Sequence, residues 1–502
     1  MSNTVKITIQ PAGKTYSLLR GTPLKDLLFD KGLEFPCGGR GVCHRCKVKI
    51  LNGSNNPTAE DQKAFSKMEL AEGWRLGCQC VADNDMELEL LSCESIILVD
   101  DTSLKFEPRN GTAIAIDLGT TTVAAQWLDL ESGKLLGTAT ALNPQARYGS
   151  DIMSRIDSAI NHNKGAELTR LIRSCLGDLI LDLLKKNGAS QKPSFILIVG
   201  NTVMHHLFCG FDVTALGFYP FQSKHLAGWH FTTEEVGWNF LGPDVNGYFM
   251  PCIGGFVGSD ILAGIIATEL HKTTHPAILI DLGTNGEIVL HANQKLFCLS
   301  TAAGPAFEGA KISMGMRAEA GAISKVRFKN DKFETEVIGG GKPRGICGSG
   351  LVDAVACALE HGLIKHNGKL NCLADHIEIQ DHIRISQKDI RELQLAKSAI
   401  ATGIEIILKQ NALDYPDIKE VWLAGAFGNY IDKQSAKKIG LLKFDLEVIK
   451  YGGNTALLGA KICLMKWPEV LEEINQILKI SEHLSLGEHP QFQSTFLNQI
   501  QF

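Results

Sequence analysis

The stretch Ile114–Ala125, IAIDLGTTTVAA, limits what this chain can fold into more than any other. Apolar residues run into Asp117, a glycine and three threonines follow, and the chain turns apolar again. That order predicts a strand, a tight turn and a second strand. The glycine lets backbone approach a ligand, and turn amides and hydroxyls at such a position suit phosphate. An Asp at the mouth of the turn suits a metal bound to that phosphate. One such turn also fits a plain hairpin. The pattern returns at Ala277–Leu290, AILIDLGTNGEIVL, with Asp281 in the place of Asp117. A repeated DLGT predicts two related halves facing one ligand.

With 502 residues the chain is long enough for several domains. A net charge of −5 predicts no broad basic surface and no nucleic-acid partner. The start, MSNTVKITIQ, alternates like a strand and does not read as a signal peptide. No apolar run approaches the ~20 residues that span a bilayer. The expectation is a cytoplasmic protein with no membrane association. Fourteen cysteines in such a chain point to metal or redox use for some of them.

A group of those cysteines lies in the N-terminal segment, residues 1–90. Val5–Gln10 and Lys14–Leu18 read as a hairpin. Thr22-Pro-Leu-Lys-Asp-Leu-Leu-Phe reads as a short helix capped by Thr22, with Pro at its first position. Cys37, Cys43 and Cys46 follow within PCGGRGVCHRCKVKIL. Glycines between them let the loop wrap tightly around an iron–sulfur core. A fourth ligand comes from WRLGCQC, as Cys78 or Cys80. Zinc is the competing metal, but it usually takes two C-x2-C knuckles, and only one is present. The segment resembles a β-grasp [2Fe–2S] ferredoxin with the five-residue first gap of the adrenodoxin-like branch. That resemblance places the fourth ligand in a Leu-x-Cys context, which matches Cys78, with Cys80 as the fallback.

Leu91–Asn110 reads as a linker that can act as a tether. Beyond it strands alternate with helical stretches, so the expected fold class is α/β. The boundaries expected are 111–275 and 276–470 for two subdomains and 471–502 for a helical tail with a polar, mobile end. DLGTT, DLGTN and a strand followed by AGAFG occur in order. Together they resemble the two phosphate motifs and the adenosine motif of the acetate/sugar kinase–Hsp70–actin superfamily. That resemblance implies an ATPase of two ribonuclease-H-like subdomains. Asp117 and Asp281 would hold Mg²⁺, largely through waters. Gly119, Thr120, Thr121, Thr122, Gly283, Thr284 and Asn285 would hold the phosphates. Gly425, Ala426, Phe427 and Gly428 would lie against adenosine, and Gly348, Ser349 and Gly350 near the sugar or phosphates. There is no GxxxxGK[ST], so no P-loop is expected.

A ferredoxin joined to this ATPase is rare. Further stretches are QARYGSDIMSRI (Gln145–Ile156), GNTVMHHLF (Gly200–Phe208), STAAGPAFEGA (Ser300–Ala310), GICGSGLVDAVA (Gly345–Ala356) and AGAFGNYID (Ala424–Asp432). With them, nearly the whole chain resembles the reductive activators of corrinoid enzymes. The resemblance implies ATP-dependent, one-electron reduction of Co(II) to Co(I) in a corrinoid protein of a methyltransferase system. It implies one [2Fe–2S] cluster, ATP and Mg²⁺ as cofactors. The donor would be a low-potential protein of ferredoxin or flavodoxin type, and a homodimer is allowed. It also suggests that STAAGPAFEGA meets the partner and that Ser300 or Thr301 offers an oxygen to cobalt, unless this loop only shapes the cleft. Glu308 is the candidate to position the attacking water. The rivals are a small-molecule kinase with a regulatory ferredoxin, an activator of another low-potential enzyme, and a ferredoxin-type carrier.

Overall fold

The computed structural model describes residues 4–10, 13–31, 33, 35, 39, 41, 44, 46–90, 106–186, 192–309, 311–371 and 374–502. Cys37, Cys43 and most of the expected linker lie outside the described residues. The chain forms two compact units. One is Met1–Glu94 with Leu142–Ile172, and the other is Ser95–Ala141 with Arg173–Phe502. The grouping of 142–172 with the N-terminal segment appears in no boundary drawn from sequence.

The first unit is a β-grasp. Strands β1 (Thr4–Gln10), β2 (Lys14–Leu19), β3 (Lys47–Asn52), β4 (Trp74–Leu76) and β5 (Met86–Glu89) form a sheet in the order β2-β1-β5-β3-β4. β1 buries Val5, Ile7 and Ile9 on one face, as period-2 alternation requires. Helix α1 (Lys25–Asp30) covers that face with Leu28 and Phe29. It begins later than expected. Thr22 and Pro23 instead pair with Ala82 and Val81 as a short antiparallel bridge, and Leu24 is the N-cap without a side-chain cap bond. A tertiary strand partner at Thr22 overrides the local helix-start signal.

The second unit contains the same topology twice. In the first half, β6 (Thr112–Leu118), β7 (Thr122–Asp129) and β8 (Leu135–Leu142) form an antiparallel meander. β9 (Phe195–Gly200) then lies parallel to β6, with Gly200 opposite Leu118, and β10 (Trp229–Thr232) and β11 (Asn246–Phe249) complete the sheet. In the second half, β12 (Ala277–Leu282), β13 (Gly286–Ala292) and β14 (Lys295–Thr301) repeat the meander. β15 (Glu420–Ala424) lies parallel to β12, and β16 (Ile449–Gly453) parallel to β15. The orders β8-β7-β6-β9-β11 and β14-β13-β12-β15-β16 match strand for strand. β6 and β12 are buried almost throughout, which is why they read as apolar runs rather than alternating ones.

Helices α2 (Ser259–Ala267) and α3 (Thr455–Met465) pack in near backbone contact. A Cβ on Gly459 would stand 2.0 Å from the Ala263 carbonyl oxygen. The long stretch after Ser386 is one helix, Gln387–Gln410, started by a capping box of Ser386 and Asp389. The C-terminal region is more integrated than a helical tail. Ser481–His483 joins the second sheet beside β14. Gln394 and Ser398 of the long helix donate to the carbonyls of Ile500 and Gln499. Among the described residues no helix is long and apolar enough to cross a membrane.

Replacing Gly459 by Ala is expected to overpack this helix pair by about 1–3 kcal/mol. A thermal melt should show the midpoint lowered by roughly 2–8 °C; an unchanged midpoint would contradict the close approach.

Candidate functional site

Both DLGT turns open on one cavity of about 290 Å³ in the second unit. Asp117 stands at the end of β6, where Gly119 N–H donates to Thr122 O at 3.1 Å to close the turn. Asp281 stands at the end of β12, and Gly283 N–H donates to Asn285 O at 3.0 Å. Of the residues singled out from sequence, Asp117, Gly119, Thr120, Thr121, Thr122, Asp281, Gly283, Thr284, Asn285, Gly348, Ser349, Gly425 and Phe427 line the cavity. Gly350 and Gly428 do not. Gly350 packs under the Ile323 carbonyl, where a Cβ would stand 2.3 Å from the oxygen, whereas Gly428 only lies in ordinary contact with Leu282. The side chain of Ala426 lies outside the described residues.

Gly425 has a clear reason. It adopts φ +82°, and a Cβ there would come within 2.5 Å of Asp281 Oδ1. Only glycine both takes that conformation and leaves the carboxylate room. Phe427 stacks on Phe307, with centroids 4.4 Å apart and planes 19° apart, forming a flat apolar part of the wall.

Several site residues have no counterpart among the sequence candidates. Asn454, the N-cap of α3, donates from Nδ2 to Asp117 Oδ2 at 3.0 Å. Asn201, the N-cap of helix Thr202–Cys209, donates to Thr120 Oγ1 at 2.9 Å. Each sits in a Gly-Asn-Thr tripeptide that follows a strand, and that recurrence was the signal available in the sequence. Asp260, in the first turn of α2, and Glu287, opposite Asp281 in the hairpin register, add two further acids. Glu308, which the sequence did offer as a candidate, also lines the cavity and accepts from Thr284 Oγ1 at 2.7 Å. Arg317 is the one Lys or Arg among the described residues of the wall.

Burial raises the pKa of each of these acids, and for Asp281, Asp260 and Glu287 the neighbouring acids add to it. Burial, tempered by the Asn454 hydrogen bond, pushes Asp117 up to about 6. Burial and then the charge of Asp117 push Asp281 up to about 7. Burial and then Asp281 push Asp260 up to about 8. Glu287 is raised well above the usual carboxylate range by burial, Asp260 and Asp281. Such a donor set favours a hard cation and resists standing charged alone. Among the described residues no three acids, histidines or cysteines group closely enough to hold a metal by themselves.

The STAAGP strand end is committed inward. Ser300 Oγ donates to Glu287 Oε1 at 3.1 Å, and Thr301 is 2 % exposed.

In the first unit, Cys46 is buried where the chain enters β3, and its carbonyl accepts from Gly77 N–H at 2.6 Å. This ties it to the short turn Gly77–Gln79 that carries Cys78. Gln79 Nε2 reaches both Cys78 Sγ (3.4 Å) and Gly39 O (3.5 Å). Gly39 and Gly41 have φ +87° and +78°, a conformation other residues rarely take. Cys80 is different. It sits in the apolar core, its thiol points at Leu76 O, and burial pushes it up to about 12. Two glycines at positive φ, a half-buried Cys78 and a neighbouring amide donor fit an iron–sulfur cluster.

Comparison with known proteins follows the same division. Residues 275–502 match the family model described as the C-terminal domain of RACo, the ASKHA domain. Residues 112–273 match the RACo middle region, and 7–83 the 2Fe–2S iron–sulfur cluster binding domain. The corrinoid activation enzyme RamQ of Eubacterium limosum is 35% identical over 428 residues, 78% of this chain and 70% of RamQ. The [Co(II) methylated amine-specific corrinoid protein] reductase of Methanosarcina barkeri is 26% identical over 431 residues, 78% of this chain and 76% of that protein. A solved reductive activator for corrinoid, iron–sulfur protein superposes with a TM-score of 0.70 at 27% identity, covering 99% of this chain and 98% of its own. The ferredoxin match supports a 2Fe–2S cluster, and the ASKHA match supports ATP binding.

The raised acids predict a proton balance. With Asp260 pushed up to about 8 and Asp281 to about 7, both carboxyls are expected to hold protons at pH 7 without ligand. A cation in the cleft favours their charged forms, so binding Mg–ATP should release protons at pH 7 and few at pH 9. Calorimetry in two buffers of different ionisation enthalpy measures this. Asp260→Asn should reduce the release at pH 7 by roughly half a proton or more.

Proposed function

This chain belongs to the RACo family of reductive activators of corrinoid proteins, and we propose that it reduces Co(II) to Co(I) in a corrinoid protein of a methyltransferase system. The electron is delivered one at a time through the iron–sulfur unit, and the second unit hydrolyses ATP. The observation that carries this reading is the presence on one chain of a segment matching the 2Fe–2S cluster binding domain and of a cleft lined by both DLGT turns. Similarity to a corrinoid activation enzyme over 78% of the chain supports it.

In this reading Cys37, Cys43, Cys46 and Cys78 hold the cluster, and Cys80 remains a core thiol. When bound, the cluster supplies a one-electron carrier and Mg²⁺ neutralises phosphate charge. Asp117 and Asp281 orient the metal's water shell from the two hairpins, with Asp260 and Glu287 adding to the local demand for a cation. Turn amides and hydroxyls at 119–122 and 283–285 hold phosphates, and Arg317 offsets their charge. Phe427 and Phe307 bound the base. Glu308, fixed by Thr284, positions water.

ATP answers an energetic need. A plant-type [2Fe–2S] couple lies on the order of −400 mV, and the Co(II)/Co(I) couple lies lower. Each ~59 mV of mismatch costs a factor of ten for one electron. Binding and hydrolysis supply the difference by stabilising a complex in which cobalt is easier to reduce. A low-potential protein of ferredoxin or flavodoxin type is the donor, and the setting is the cytoplasm.

The test supplies reductant, Mg–ATP and a Co(II) corrinoid protein, and follows the Co(I) absorption band without oxygen. Co(I) should form only with ATP. Asp117→Asn and Asp281→Asn should each slow it by at least about 100-fold. Cys78→Ser should lose the cluster spectrum and Cys80→Ser keep it. Co(I) formed equally without ATP, or phosphate transferred to a metabolite, would overturn the reading.

A further inference from the structure

The stretch QARYGSDIMSRI has no place in the nucleotide cleft, and the structure puts it in the ferredoxin unit instead. Its first turn, Pro144–Arg147, is held rigidly from behind. Gln145 is buried and donates to Leu168 O at 3.0 Å, and buried Arg155 donates to Gln145 Oε1 at 3.1 Å and Gly149 O at 3.0 Å. From the front, Ala146 packs on the ferredoxin core. The Arg147 guanidinium lies 4.9 Å over the Phe29 ring and 3.6 Å from Asp26. Lys25 Nζ donates to Arg147 O at 3.0 Å.

Lys25 also touches the cysteine loop. Its Nζ and Cε occupy the space a Cβ on Gly39 would take, 2.8 and 2.7 Å from that position. Gly39 lies between Cys37 and Cys43 in sequence, and its carbonyl is reached by the same Gln79 amide that reaches Cys78 Sγ. One ammonium thus bridges the cysteine loop and a turn contributed from more than a hundred residues away.

We propose that Lys25, held in place by the turn 144–147, sets the reduction potential of the cluster and couples the seating of that turn to the cluster's oxidation state. The inference rests on the reading that Cys37, Cys43, Cys46 and Cys78 carry a [2Fe–2S] cluster. Reduction adds one electron and one negative charge to the cluster. A fixed positive charge beside it stabilises the reduced form and raises the potential. Linkage makes the effect reciprocal: whatever factor Lys25 contributes to reduction, reduction returns to the hold of Lys25 on the loop and turn. A side chain anchored on a rigid turn does this better than one free to swing into solvent.

The test uses the full chain, reconstituted without oxygen, with cluster content checked first by iron count and visible spectrum. Potentiometric titration followed by the electron paramagnetic resonance of the reduced cluster gives the midpoint. Lys25→Met keeps the stem and removes the charge. It should lower the ratio of reduced to oxidised cluster at a set potential by at least threefold, about 30 mV more negative. Lys25→Arg should stay within twofold of the parent. Arg147→Ala should move the midpoint in the same direction and speed amide exchange in residues 144–148; it also serves if Lys25→Met does not load. A loaded Lys25→Met protein with an unmoved midpoint, or Lys25→Arg shifting as far as Lys25→Met, overturns the proposal. A parent protein without a [2Fe–2S] cluster overturns the ligand reading beneath it.

Discussion

Charge placed at the ends of buried strands is the constraint on which the second unit depends. Asp117 and Asp281 terminate two apolar strands, and Asp260 and Glu287 stand nearby with raised pKa values. Carboxylates in such a place cost stability unless something compensates. Part of the compensation is built in: Asn454 donates to Asp117, and Gly425 keeps a side chain away from Asp281. The rest is left to whatever enters the cleft.

The first unit solves the opposite problem, keeping sulfur reactive while burying the rest. Cys78 and Cys80 differ by one residue and by environment. The first lies on a turn with an amide donor at its sulfur; the second lies in the core, where burial pushes its thiol up to about 12. The turn 144–147 then shows that the ferredoxin fold is completed by residues beyond it in sequence, with Lys25 as the contact that reaches both.

Much of this was legible in the residues. The DLGT repeat implied two halves, and the two sheets repeat the same strand order. The Gly-rich turns fell on the cavity because their backbone needs are local. What escaped notice was residues whose role depends on a neighbour from another part of the chain. Asp260 and Glu287 look like ordinary acids at a helix start and in a strand until the fold brings them beside Asp281. Thr22-Pro reads as a helix start until Ala82 pairs with it. The C-terminal stretch reads as a tail until a strand edge and the long helix take it up.

By itself, then, the sequence determined the β-grasp with its cysteine loop, the duplicated hairpin fold and the two aspartates at its centre. Those features are written in spacing, periodicity and glycine placement, all of which act within a few residues. Only the tertiary structure decided that Cys80 is core while Cys78 is half-buried beside an amide donor, and that Ser300 turns inward to Glu287. It also decided that Arg147 belongs to the ferredoxin unit. Burial and electrostatics depend on which distant groups are packed alongside, and no local pattern encodes that.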